Sequence, residues 1–116
     1  MKITLAHSAG FCYGVRRAVK IAEDLANEGV SAVMLGPIIH NDAEIQRLGA
    51  LGMETVDDPQ DIPQGTAVVL RSHGETRETF SFLKTKGLEA VDTTCPNVSR
   101  IHRLVQQAEA EARRVI

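Results

Sequence analysis

The sequence predicts an α/β domain built on a mainly parallel, four-stranded sheet flanked by helices. Three observations lead there. Short apolar runs of strand length alternate with segments whose apolar residues recur at helical spacing. The connections between successive apolar runs are too long for hairpins and long enough to hold a crossover helix. Glycine or proline stands at most junctions between the two kinds of segment. In such a fold the strand C-termini share one edge of the sheet, where open α/β sheets bind ligands.

The first unit pairs an expected strand at 2–7 with a helix beginning at Gly14 or Val15 and running to about Glu28. Val15, Ala18, Val19, Ala22, Leu25 and Ala26 mark the buried face of that helix, and Gly29 closes it. The second unit opens with the apolar run 30–35 and the loop Gly36-Pro37-Ile38-Ile39-His40. Asn41, with Glu44 three residues on, has the spacing of a capping box for a helix carrying Ala43, Ile45, Leu48 and Leu51. A short strand at 54–56 is expected before a turn-rich stretch that contains Pro59 and Pro63. The third unit is the strand 66–71, the loop Ser72-His73-Gly74-Glu75, and a helix capped by Thr76 and closed by Gly87. The fourth is the strand 88–92, the loop Thr93-Thr94-Cys95-Pro96, and a helix capped by Asn97 with Val98, Ile101, Leu104, Val105, Ala108 and Ala112 on one face. The closing Arg113-Arg114-Val115-Ile116 reads as a helix tail running into a further strand. The expectation is therefore a first unit at 1–96 and, at 97–116, the opening helix of a second unit cut short.

With 43% apolar and 24% charged residues among 116, the chain has the ordinary mix for one domain with a real core. A net charge of −2 gives no basis for a nucleic-acid or anionic-membrane partner. Tryptophan is absent, and one Tyr and three Phe are too few for stacking platforms. No apolar run approaches the ~20 residues of a membrane span, and Met1-Lys2-Ile3-Thr4-Leu5 lacks signal-peptide architecture. The expected location is cytoplasmic. In that reducing setting Cys12 and Cys95 are read as buried thiols, metal ligands or redox groups rather than a disulfide.

Cys12, His40, His73 and Cys95 each fall between an expected strand and the helix after it, so they should converge on one edge. Helix N-termini carry partial positive charge, which favours thiolates and phosphate groups. Four readings stand side by side. The residues could be structural. They could form a Cys2His2 zinc site, although the close ligand pairs usual for structural zinc are absent. The two cysteines could hold part of an iron–sulfur cluster, which needs more thiolates than two. The imidazoles and loop amides could grip phosphate, and these last two readings are compatible in one pocket. Standard nucleotide-binding motifs are missing. His7, Ser72 and His102 carry weaker signals, and Arg16 and Arg17 read as a solvated helix face.

The segments Gly10-Phe11-Cys12-Tyr13-Gly14-Val15 (with Arg16 and Ala18), Ile39-His40-Asn41, Ser72-His73-Gly74 and Asp92-Thr93-Thr94-Cys95-Pro96 resemble, in order, motifs of the LytB family of 4-hydroxy-3-methylbut-2-enyl diphosphate reductases. The resemblance runs the length of the chain. It implies the first of three similar α/β units in a trefoil arrangement around a [4Fe–4S] cluster, with Cys12 and Cys95 as two of its three thiolate ligands. It implies that His40 and His73 contact the diphosphate of an allylic substrate. The implied reaction is reductive removal of the allylic hydroxyl in non-mevalonate isoprenoid biosynthesis, giving isopentenyl and dimethylallyl diphosphate. Electrons would come from a small redox protein of the ferredoxin or flavodoxin type. The third cysteine, the proton-relaying glutamate and further substrate contacts would lie beyond Ile116, so no catalytic residue is expected here and the chain alone should be inactive. The alternative is a stand-alone α/β module that binds a phosphorylated ligand without catalysis.

Overall fold

The computed structural model describes residues 1–116. Four helices, α1 (Tyr13–Asn27), α2 (Asp42–Ala50), α3 (Arg77–Lys86) and α4 (Pro96–Ala110), accompany four short strands, β1 (Ala32–Leu35), β2 (Glu54–Val56), β3 (Ala67–Val69) and β4 (Ala90–Val91). The strands form one wholly parallel sheet in the order β2-β1-β3-β4. Met34 faces Thr55 on one side and Val69 on the other, which sets the central register.

Strand side chains alternate between faces, and that alternation divides the core in two. Ala32 and Met34 of β1, with Ala67 and Val69 of β3, pack with Val19 and Ala22 of α1 and Leu48 of α2. Leu35, Val68 and Leu70 point the other way and pack with Leu83 of α3, Leu88 and Ile62. Helices α1 and α2 thus cover one face and α3 the other. Because both faces are covered there, the central strands β1 and β3 read as continuous apolar runs rather than alternating ones.

The chain moves outward from β1 to β2, then crosses back to β3 beside β1 and outward again to β4. The order therefore reverses between β1 and β3. The crevice outside the C-terminal ends of those two strands is where open parallel sheets place ligands.

The caps follow the sequence with one exception. The Asn41 side chain accepts from the Glu44 amide (3.0 Å) and Thr76 from the Thr79 amide (3.2 Å). Gly29 and Gly87 adopt the positive φ that ends α1 and α3. At the other two helix starts, α1 is capped at Cys12 and α4 at Cys95, with Pro96 in the first helical position in place of the expected Asn97 cap. Proline suits that position because its missing N–H has no intrahelical partner there.

The expected strand at 2–7 is not formed. Ile3 and Leu5 are 79% and 83% exposed, and the sheet reaches four strands through 54–56 instead. Alternating apolar residues make a strand only where a partner ladder and a surface to cover exist, and this segment has neither. The apolar face expected on α4 is present but uncovered: Ile101, Leu104 and Val105 are exposed and no α4 residue is buried.

Candidate functional site

Ile38 and Ile39 are buried anchors in the loop after β1, so His40 emerges at the rim immediately before the Asn41 cap. The loop after β3 brings His73 to the same rim. The two exposed imidazoles lie parallel, with planes 3° apart and centroids 5.7 Å apart. They flank the reversal point of the sheet.

Main-chain hydrogen bonds tie this pair to the cysteines. The Ser72 N–H donates to the Ile38 carbonyl (3.2 Å), joining the two histidine loops. The Ser72 carbonyl in turn accepts from the Cys95 N–H (2.8 Å). Thr94 is braced by Asp92, whose Oδ1 accepts from its backbone N–H (2.8 Å) and from its hydroxyl. Buried Thr93 donates its hydroxyl to the Leu70 carbonyl (2.5 Å), fixing the exit of β4 against the end of β3. The Cys95 side chain rests on the first turn of α1, where a Cβ at Gly14 would lie 2.6 Å from Cys95 Sγ. Cys12 stands two residues before Gly14, at the head of that helix. Both thiols are free, and neither caps its helix through the side chain.

The four residues singled out from sequence therefore share one rim. Cys12 reaches it at the start of α1 rather than at the end of a strand. His7 lies exposed in a turn, and His102 lies on α4 with its ring against Gly74, where a Cβ would fall 2.8 Å from His102 Cε1. No three His, Cys, Asp or Glu side chains converge to hold a metal ion. Two thiols can supply only part of a ligand set. A cleft of about 190 Å³, lined in part by Gly74, Glu75, Thr94 and His102, adjoins the rim between α3 and α4.

Three participants were not visible in the sequence as such. Arg17, expected on a solvated face, is half-buried and donates to the Thr94 carbonyl (3.4 Å) from 77 residues away. Arg71 and Glu75 form an ion pair across the His73 loop (2.7 Å). Their four-residue spacing was readable, but nothing local said that they would turn inward.

The family model described as LytB protein matches residues 3–116. The chain belongs to the LytB family. Its LytB relatives include the 4-hydroxy-3-methylbut-2-enyl diphosphate reductase of Nitratiruptor sp., 40% identical over 100% of this chain and 41% of the relative. That of Aquifex aeolicus is 44% identical over 94% of this chain and 38% of the relative. Two solved structures align closely. One, of (E)-4-hydroxy-3-methyl-but-2-enyl diphosphate reductase, the terminal enzyme of the non-mevalonate pathway, has a TM-score of 0.79 at 43% identity, over 94% of this chain and 39% of that one. The other, of the Plasmodium falciparum E-1-hydroxy-2-methyl-but-2-enyl-4-diphosphate reductase, has a TM-score of 0.85 at 30% identity, over 90% of this chain and 33% of that one. The chain thus spans about two fifths of the length of its curated relatives. No helix in it is long and apolar enough to cross a membrane.

Proposed function

We propose that the chain is the N-terminal part of a 4-hydroxy-3-methylbut-2-enyl diphosphate reductase, acting in the cytoplasm on a small allylic diphosphate with a ferredoxin- or flavodoxin-type electron donor. The observation that carries this reading is the parallel pair His40 and His73 at the reversal point of the sheet, main-chain-bonded to the loop of Cys95. Imidazole N–H groups at that point can donate to diphosphate oxygens, and the start of α2 beside His40 adds a favourable dipole for an anion. Cys12 and Cys95, free at two helix N-termini that meet at Gly14, would provide two of the thiolates of a [4Fe–4S] cluster. When bound, the cluster would supply the electrons and the Lewis-acid iron for loss of the allylic hydroxyl. This chain's part is to orient the diphosphate and present two ligands.

The third thiolate and the proton-relaying group belong, in this reading, to the remainder of a longer protein. The exposed faces of α4 and of the segment 1–11 support that division. Residues 97–116 then open a second unit, and the rest of that protein covers Ile101, Leu104 and Val105.

Two anaerobic preparations test the reading: this chain, and a full-length polypeptide carrying it at the N-terminus. Iron and acid-labile sulfide in the long form, lost in Cys12→Ser and Cys95→Ser, together with reductase activity that drops in His40→Ala and His73→Ala, is the expected result. A long form that binds no iron removes the proposed role of the cysteines. Reductase activity in the short form would refute the division of the site.

A further inference from the structure

We infer that Arg71 and Glu75 are a positioning pair, which holds His40 and His73 in their parallel arrangement for a diphosphate; this rests on the binding role proposed above for the two imidazoles. Arg71 follows the buried end of β3 and Glu75 closes the same loop, so their contact brackets Ser72, His73 and Gly74. The Gly74 N–H donates to the Arg71 carbonyl (3.0 Å), making that loop a closed turn. The guanidinium also lies on the other histidine loop. A Cβ at Gly36 would fall 3.2 Å from Arg71 Cζ and Nε, at a residue with φ of +64°. One side chain therefore touches the root of the His40 loop and locks the His73 loop.

The contact has an unusual character. Arg71 Nε and Glu75 Oε1 are both sealed from solvent and 2.7 Å apart, yet the N–H is not aimed at the oxygen in a hydrogen bond. With the Arg71 side chain 36% exposed and the facing atoms desolvated, such a pair is a poor source of net stability. What it does supply is a fixed relation between two loops. Glu75 has a further oddity: it puts a carboxylate near a rim proposed to receive an anion. On charge alone that is unfavourable, whereas a positioning role explains it. Preorganised donors bind more tightly because less motion is lost on binding.

The charge argument and the positioning argument predict opposite signs for Glu75→Gln. If the carboxylate acts only through its charge, removing it strengthens anion binding. If it positions, removing it weakens binding although the site has become more positive. The chain is titrated with inorganic pyrophosphate, with affinity read by calorimetry and the His40 and His73 ring resonances read by NMR. The expected result is a loss of about fivefold or more in Glu75→Gln. Arg71→Lys keeps the cation but loses the planar group over Gly36, and it should show a similar loss. In both variants the ring-to-ring contact between the two imidazoles should disappear from the free protein, while the amide spectrum shows the fold intact.

Unchanged or tighter pyrophosphate binding with the ring contact retained overturns the inference. If the unsubstituted chain does not bind pyrophosphate, the two imidazoles do not make an anion site by themselves, and the binding role proposed for them passes to the full-length polypeptide. The ring contact in the free variants then still decides the positioning: its loss supports the pair's role, and its persistence refutes it. The two variants perturb the pair from opposite ends, so either one that folds is sufficient.

Discussion

Gly14 leaves no room for a side chain beside Cys95, and Gly14→Ala measures what that absence is worth. A methyl at Gly14 would stand 2.6 Å from Cys95 Sγ and 2.8 Å from its Cβ. Comfortable separations are about 3.5–4.0 Å, so the two helix starts would have to part by about 1 Å. The Cys95 Sγ can turn about χ1, but its Cβ, 2.8 Å away, cannot. Overpacking of this kind costs about 1–3 kcal/mol. Against it stands the gain from replacing a helical glycine, up to about 1 kcal/mol and less in the first turn. The net expectation is a loss of about 1–2 kcal/mol.

Gly49, within α2, has nothing within 4 Å of its own added Cβ. Gly49→Ala should therefore gain about 0.5–1 kcal/mol. Urea unfolding reads both variants, with midpoints moving in opposite directions at unchanged slope; for slopes of about 1–3 kcal/mol/M the Gly14→Ala shift is about 0.3–2 M downward. Labelling of the Cys95 thiol should speed up in Gly14→Ala, with exposed Cys12 as the internal reference. If Gly14→Ala is as stabilising as Gly49→Ala and Cys95 labelling is unchanged, α1 and α4 do not meet as described.

Thr93→Val preserves shape but leaves the buried Leu70 carbonyl without its hydroxyl partner, and should lower unfolding free energy by about 1–2 kcal/mol. Leu104→Lys on the exposed face of α4 should leave the chain's stability within about 0.5 kcal/mol, whereas Leu83→Ala in the core should cost about 2–5 kcal/mol. In the full-length polypeptide proposed above Leu104→Lys should instead reduce stability, measured by the same unfolding transition. The Arg47 hydrogen bond holds the Glu44 carboxyl below its ordinary 4.5. A depressed carboxyl contributes stability that is complete above pH 4.5 and lost as pH falls through the lower folded value. Glu44→Gln should accordingly flatten the acid side of the stability profile below pH 4.5, and only slightly because the pair is solvent-exposed.

The strand–helix alternation, the caps at Asn41 and Thr76, and the αL glycines at the ends of α1 and α3 are all legible in the amino-acid sequence. Each depends on neighbours within a few residues, and that is the range over which backbone conformation and capping act. The placing of His40, His73 and Cys95 on one rim is legible too, because it follows from parallel strands and does not require their order. Residues 2–7 show where local pattern stops being sufficient. Their alternation matches a strand, but a strand is completed by a partner, and β1 to β4 pair only with one another.

Sequence alone determined the fold class, the family motifs and the placing of His40, His73 and Cys95 on the rim, since these reside in composition, period and order along the chain; Cys12 arrives there without the strand expected before it. Tertiary structure alone decided the strand order, and with it the reversal between β1 and β3 that His40 and His73 flank. It also decided that Gly14 makes room for Cys95, that Arg17 reaches Thr94, and that Arg71 turns onto Gly36 to meet Glu75. Most of those contacts join residues tens of positions apart, through a few ångströms of packing. No local propensity encodes such distances; they exist only once the sheet has brought its loops together.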